Sequence, residues 1–278
     1  MPVVTFWSNS EKSIGQTVSA STVASAMAME HNYKVLLICA DMQDDTMEDC
    51  FGAQQSNKEI LKTIISKPQM NLDTGTNGLL KMAQSNRVTP ELIKDYTKII
   101  WKNRLEILYA STNKEISPEE QMEGFKSIIL NATKYYDQVI VDLKKGLKYQ
   151  TILDILDMSD AIVLNTEQGT KTLEKFFKIK EMQKYINAYK IIWNICRYDE
   201  KSKYNIKNLN RTVWKKQPIY NIPYNTMLYE ASMEGQLAEL LLRIRTMKTD
   251  DENVNLLKQA KELSEGILVR YKELRMRM

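Results

Sequence analysis

The chain has 278 residues, 43% hydrophobic and 27% charged, which is the balance of a globular protein and excludes a disordered or fibrous one. Its 39 basic and 35 acidic residues leave a net charge of +4, too small by itself to demand nucleic acid or a membrane surface as a partner. No apolar run approaches the roughly 20 residues of a membrane span. The three cysteines, Cys39, Cys50 and Cys196, are too far apart for a metal-ligand spacing and read as buried free thiols, and one histidine, His31, cannot build a zinc site. The start MPVVTFW lacks the basic residues of a secretory signal, so a cytoplasmic location is expected.

In chain order, the first apolar, β-branched segment is Val3–Trp7, the pattern of a strand buried on both faces. A turn of small and polar residues follows over 8–17 (SNSEKSIGQT), and then an Ala-, Ser- and Met-rich helical stretch over 17–30. Residues 34–39 (KVLLIC) predict the second strand. The stretch from Asp41 to about Asn77 is the least regular part of the chain. A helix over 91–101 follows Thr89-Pro90, a start signal with proline in the first turn. Residues 105–109 (LEILY) predict a weaker strand, and Ser117-Pro118 opens a helix over 118–135. Strands are predicted at 138–143 (QVIVDL), 161–164 (AIVL), 190–194 (KIIWN) and 219–222, with a helix over 170–185. The tail over 251–278 carries Leu256, Ala260, Leu263, Ile267, Tyr271 and Leu274 at spacings of three or four, an amphipathic helix with acidic residues leading and basic ones ending it. Its apolar stripe must bury against the chain's own core or against a partner. Strands alternating with helices predict a three-layer α/β fold with a mainly parallel central sheet. The expected organisation is one domain over 1–249 and a C-terminal helix over 250–278.

The turn after the first strand is the sharpest chemical feature. A strand, a small-residue turn ending in Gly15-Gln16-Thr17 and a helix make the geometry of a phosphate cradle, with backbone N–H groups and the helix N-terminus as the positive end. Thr17 at the head of that helix is a candidate Mg²⁺ ligand. The lysine that normally precedes such a threonine is absent, and read alone the segment is an ordinary strand-to-helix turn.

Five further segments resemble, in order and spacing, the ParA/MinD family of P-loop ATPases. Residues 33–43 (YKVLLICADMQ) are similar to its second strand, where Asp41 and Gln43 match an Asp-x-Asp-x-Gln motif and Cys39 stands at the first Asp. Residues 136–146 (YDQVIVDLKKG) look like the Walker B strand, with Asp142 and Gly146 matching and Lys144-Lys145 in place of two prolines. Residues 158–168 (MSDAIVLNTEQ) resemble the next strand and loop, 191–197 (IIWNICR) put Asn194 where the family reads adenine, and 219–235 resemble its late Ile-Pro segment. Within the family, the pilus-localisation branch TadZ/CpaE is the most similar in flavour.

The resemblance implies a P-loop NTPase fold and a cofactor of ATP or ADP with Mg²⁺. It implies a nucleotide site built from Ser10, Glu11, Lys12, Ser13, Ile14, Gly15, Gln16, Thr17, Val18 and Asn194. Thr17, Asp41 and Asp142 stand at its metal positions, and Asp41 is a vestigial catalytic residue. It also implies a departure: Gln16 stands at the Walker lysine, and Glu11 stands at the signature lysine that reaches across a dimer. Lys12, Lys144 and Lys145 are the nearby candidates to replace the lost charge. With both lysines missing, binding of no cofactor at all is an open alternative. Three functions remain open on these residues. One is a localisation or scaffolding protein with little or no ATP hydrolysis, working as a homodimer or in a hetero-complex with pilus or secretion assembly proteins, recruited by a partner to the inner membrane face. The second is an active ATPase with a remodelled loop. The third is a partitioning module on DNA or a membrane surface, against which the scattered basic residues and the low net charge count.

Overall fold

The computed structural model describes residues 2–10, 12–41, 44–52, 76–109, 117–143, 145–146, 150–169, 174, 176–212, 218–248 and 251–277. Glu11, Gln43 and Lys144, the first part of the expected helix over 170–185, and most of the stretch after Asp41 lie outside them.

Strand β1 (Val3–Trp7) is buried at every residue, as are β2 (Val35–Ala40), β5 (Gln138–Leu143) and β6 (Ala161–Thr166). These are the runs whose side chains lack polar alternation, and they lie in the middle of the sheet, where helices cover both faces. Four strands flank them: β3 (Lys98–Trp101), β4 (Leu105–Leu108), β7 (Ile191–Tyr198) and β8 (Ile219–Pro223). The sheet order is β3-β4-β2-β5-β1-β6-β7-β8, parallel throughout except for the antiparallel β3–β4 edge. The expected α/β fold with a mainly parallel central sheet is the observed one.

The edge hairpin corrects the sequence reading of one helix over 91–101. The helix here, Pro90–Tyr96, is capped by the Thr89 hydroxyl accepting from Leu92 N, and Thr97 turns extended. Lys98–Trp101 then pairs with β4, and Asn103 at φ 59° makes the turn. The β-branched and aromatic run Ile99-Ile100-Trp101 favours a strand over helix continuation, and Lys102-Asn103 is the turn signal that marks it.

On one face of the sheet lie helices α3 (Thr76–Gln84), α5 (Pro118–Ala132) and α6 (Gln150–Met158), packed on Val139, Val141, Ile162 and Leu164. Helix α5 starts in a full capping box, Ser117 with Glu120, as its sequence predicts. The opposite face carries α1 (Gln16–Glu30) and α2 (Thr46–Phe51), then α9 (Thr226–Met233), α10 (Leu237–Arg245) and α11 (Val254–Arg277). Here α4 is Pro90–Tyr96, α7 is Lys180–Asn187 and α8 is Ile206–Thr212.

Helix α11 lies along α1 and β8, burying Leu256, Ala260, Leu263 and Ile267 in the chain's own core. At the far end of α1, Lys261 and Arg245 meet the Glu30 carboxylate at 3.0 and 3.6 Å. Gly266 is the point of closest approach, because a methyl group there would overlap Oη and Cζ of Tyr220. Alanine gains about 1 kcal/mol over glycine in a helix, whereas overpacking costs about 1–3 kcal/mol. Gly266→Ala is therefore expected to lower stability in urea denaturation by up to about 2 kcal/mol, with the loss recovered in the Tyr220→Ala background. A stabilised single variant would show that the ring gives way at no cost.

Candidate functional site

The site grows from the C-terminal ends of β1, β2 and β5, where a parallel sheet leaves its loops together. Trp7 ends β1, and its indole Nε1 donates to Gly146 O at 3.1 Å, while Gly146 N donates to Ser8 O at 2.9 Å. These two bonds stitch the loop after β1 to the turn after β5. Inside the loop, Ser8 Oγ accepts from Ser10 N and Ser10 Oγ accepts from Lys12 N. Gly15, at φ 89° and ψ 25°, turns the chain into α1 through the left-handed region that suits glycine. Gly15 is the N-cap of α1 and has no side chain to accept from the first-turn N–H groups.

Gln16 does not face a ligand. Its side chain is buried, and Nε2 donates to Asp142 Oδ1 at 2.6 Å and Leu143 O at 2.8 Å, with Phe6 O at 3.2 Å. The amide is a strut between the ends of β1 and β5, and its Oε1 is buried without a hydrogen-bond partner among the described residues. Thr17 is buried beside it, with Oγ1 donating to Asp44 Oδ2 at 3.4 Å.

Asp142 pairs in register with Phe6 and Cys39, on the face that α1 covers. Burial raises its carboxyl from 3.8 to about 7; the Thr17 and Gln16 hydrogen bonds oppose that shift, and the Asp44 and Asp41 charges add to it. Asp41, directly after β2, thus reaches the same end of the sheet as Asp142. Asp44 was missed in the sequence because it lies in the irregular stretch and matches no motif. It accepts from Thr46 N at the head of α2 and meets Lys145 Nζ at 3.9 Å. Among the described residues no group of three or more His, Cys, Asp or Glu side chains could hold a metal ion.

Of the other site residues, Lys12 points to solvent, with Nζ 3.9 Å from Glu167. Ile14 is buried. Ser13, Gly15 and Val18 line a cavity of about 210 Å³ between the loop and the tips of β7 and β8, with Arg197, Tyr224 and Tyr229 on its other walls. Asn194 is not among its lining residues. It is fully buried in β7, where Nδ2 donates to Asn165 Oδ1 at 2.8 Å across the β6–β7 register. A buried amide needs such a partner, so the apolar run around it reads as a sheet rung. Arg197 is the residue the sequence reading passed over. It holds φ 51°, unusual for a non-glycine residue, and its side chain lies against Gly15. The thiols of Cys50 and Cys196 are pushed up to about 12 by burial, which leaves them unreactive.

Neither a family model nor a curated protein matches the sequence. Solved structures do match. A ParA family ATPase from Chlorobium tepidum superposes with a TM-score of 0.66 at 16% identity, over 95% of this chain and 98% of that one. The fold is that of the ParA and MinD ATPases. The septum site-determining protein MinD from Pyrococcus horikoshii, complexed with Mg-ADP, gives 0.64 at 14% identity over 97% and 98% of the two chains. MinD in the MinC:MinD cell division complex of Aquifex aeolicus gives 0.64 at 14% identity over 96% of each.

Within this ParA/MinD fold, the residues present fit a nucleotide unevenly. The cavity, the N-terminal end of α1 and Arg197 suit a base and an anion. The inward amide of Gln16 and the carboxyls of Asp142, Asp44 and Asp41 offer nothing to a run of phosphates. Thr17 and Asp142, expected at the Mg²⁺ positions, lie side by side, with Thr17 Oγ1 also within reach of Asp44.

Proposed function

We propose that the chain is a ParA/MinD-type localisation or regulatory protein that acts through protein contacts and hydrolyses ATP negligibly. The observation that carries this reading is the Gln16 side chain: at the position where the family places a charged lysine, a neutral amide is bound inward to Asp142 and two carbonyls. Phosphoryl transfer needs positive charge on the transferring group, and here the group bound to the Gln16 amide is the Asp142 carboxyl, while Lys145 is drawn to Asp44. The resemblance to the TadZ/CpaE branch favours a pilus or secretion machine as the assembly served, with the chain as a homodimer or in a hetero-complex. The printed MinC:MinD complex of a fold neighbour supports a protein as partner. Among the described residues no helix is long and apolar enough to cross a membrane, so membrane placement would come through that partner. In this reading residues 1–249 are the degenerate P-loop unit and 250–278 a helix seated on it.

The test measures ATP turnover and, by light scattering, molar mass with and without ATP-Mg²⁺. The expected result is turnover at background and a mass that ATP does not change. Glu11→Lys with Gln16→Lys is expected to raise phosphate affinity. Robust turnover by the unmodified chain, or a monomer that dimerises only with ATP, would defeat the proposal in favour of a nucleotide-switched ATPase.

A further inference from the structure

We propose that the cavity beside Gly15 takes a nucleoside monophosphate in preference to a triphosphate, with Arg197 as the cation that meets its single phosphate. The inference rests on the nucleotide-site reading above and adds a ligand class and a binding residue to it.

Three observations carry it. First, Arg197 comes from the end of β7, not from the loop, yet its Nε lies 3.3 Å from where a Gly15 Cβ would stand. The Arg197 side chain is thus laid beside the N-cap of α1, so that a cation and the positive end of a helix lie together. Its left-handed φ of 51° is a backbone conformation that needs support from its surroundings and clusters at ligand sites. Second, the cavity adjoining that place is walled by apolar side chains of Ile222, Pro223 and Leu228, with the exposed rings of Tyr224 and Tyr229 at its rim, a lining suited to a planar base. Third, the way onward from the first phosphate is electrically closed. Thr46 lines the cavity, and its N–H is bonded to Asp44, so that carboxylate stands directly behind the wall. Thr17 leads to the same Asp44 and Gln16 to Asp142. Lys145, a cation on that side, is already beside Asp44. One phosphate therefore meets an arginine and the positive end of α1, and each further phosphate approaches the Asp44 carboxylate and the Asp142 carboxyl.

The experiment is calorimetric titration of the full chain with adenosine, AMP, ADP and ATP, each with and without Mg²⁺. AMP is expected to bind, ATP to bind about tenfold or more weakly than AMP in both conditions, and adenosine to bind more weakly than AMP. Arg197→Asn, chosen because asparagine tolerates the left-handed region, is expected to weaken AMP by about tenfold and leave adenosine unchanged. ATP binding as tightly as AMP, no binding of AMP, or an Arg197→Asn variant with unchanged AMP affinity would each overturn the inference. The order of affinities in the unmodified chain needs no variant to fold. Tight ATP binding without turnover would overturn this inference and leave the proposed function standing, whereas turnover would sink the proposed function whichever nucleotide binds better.

Discussion

Asp142→Asn is expected to flatten the loss of stability that the unmodified chain suffers between pH 5 and pH 8. The carboxyl has a folded-state value of about 7 against an ordinary 3.8, with burial as the main cause. Between those two values the unfolded chain has released this proton and the folded chain has kept it. The folded state then binds more protons, and stability falls as pH rises through that window. At about 1.4 kcal/mol per unit, the full span is worth about 4 kcal/mol, and the part between pH 5 and 8 about 2–3 kcal/mol. An asparagine stays neutral at both ends and still accepts from Gln16 Nε2. Urea denaturation of both proteins at pH 5 and pH 8 reads the effect as a difference of slopes, because every other titrating group is common to the two. Parallel slopes would mean that Asp142 is already ionised in the folded protein at pH 5.

That same carboxyl explains why the site reads differently in sequence and in structure. Strand runs such as QVIVDL and AIVL were legible because burial on both faces leaves no polar alternation, and the order of the motifs around them was enough for the fold. The positions of Asp41 and Asp142 at one end of the sheet followed from that topology. The fate of Gln16 did not, because sequence shows which residue replaces a lysine but not where its side chain turns. Asn194 and Arg197 show the same limit within a single strand. The resemblance put Asn194 where the family reads adenine, yet register sets it opposite Asn165. Arg197, three residues on, gains its place at Gly15 from a left-handed backbone angle that no residue type announces. The β3 edge was lost for a different reason: the cap at Thr89 gave a sound helix start, and nothing in a start signal says where a helix stops.

Gln16→Lys on its own is expected to remove the same pH slope by the opposite route, through charge instead of neutrality. A lysine ammonium in the place of the amide would stand within contact of Asp142, where an ion pair at about 4 Å is worth about 4 kcal/mol at the dielectric typical of proteins. Burying a second charge costs several kcal/mol in return, so the net gain at pH 8 is expected to be small, about 1–2 kcal/mol over the unmodified chain. The pairing nevertheless holds Asp142 ionised down to the ordinary carboxylate range, and the fall in stability between pH 5 and 8 disappears. In Gln16→Lys with Asp142→Asn the lysine has lost its carboxylate, and the unpaired buried charge is expected to cost about 3–5 kcal/mol. Asp44 and Asp41 are then the carboxylates left nearby and phosphate can supplement them, so millimolar inorganic phosphate should raise the stability of this double variant more than that of Gln16→Lys. Denaturation of the three proteins at both pH values, with and without phosphate, separates these outcomes. A Gln16→Lys variant that keeps the slope of the unmodified chain would show that the lysine turns away from Asp142, and that the inward strut belongs to glutamine and not to the position.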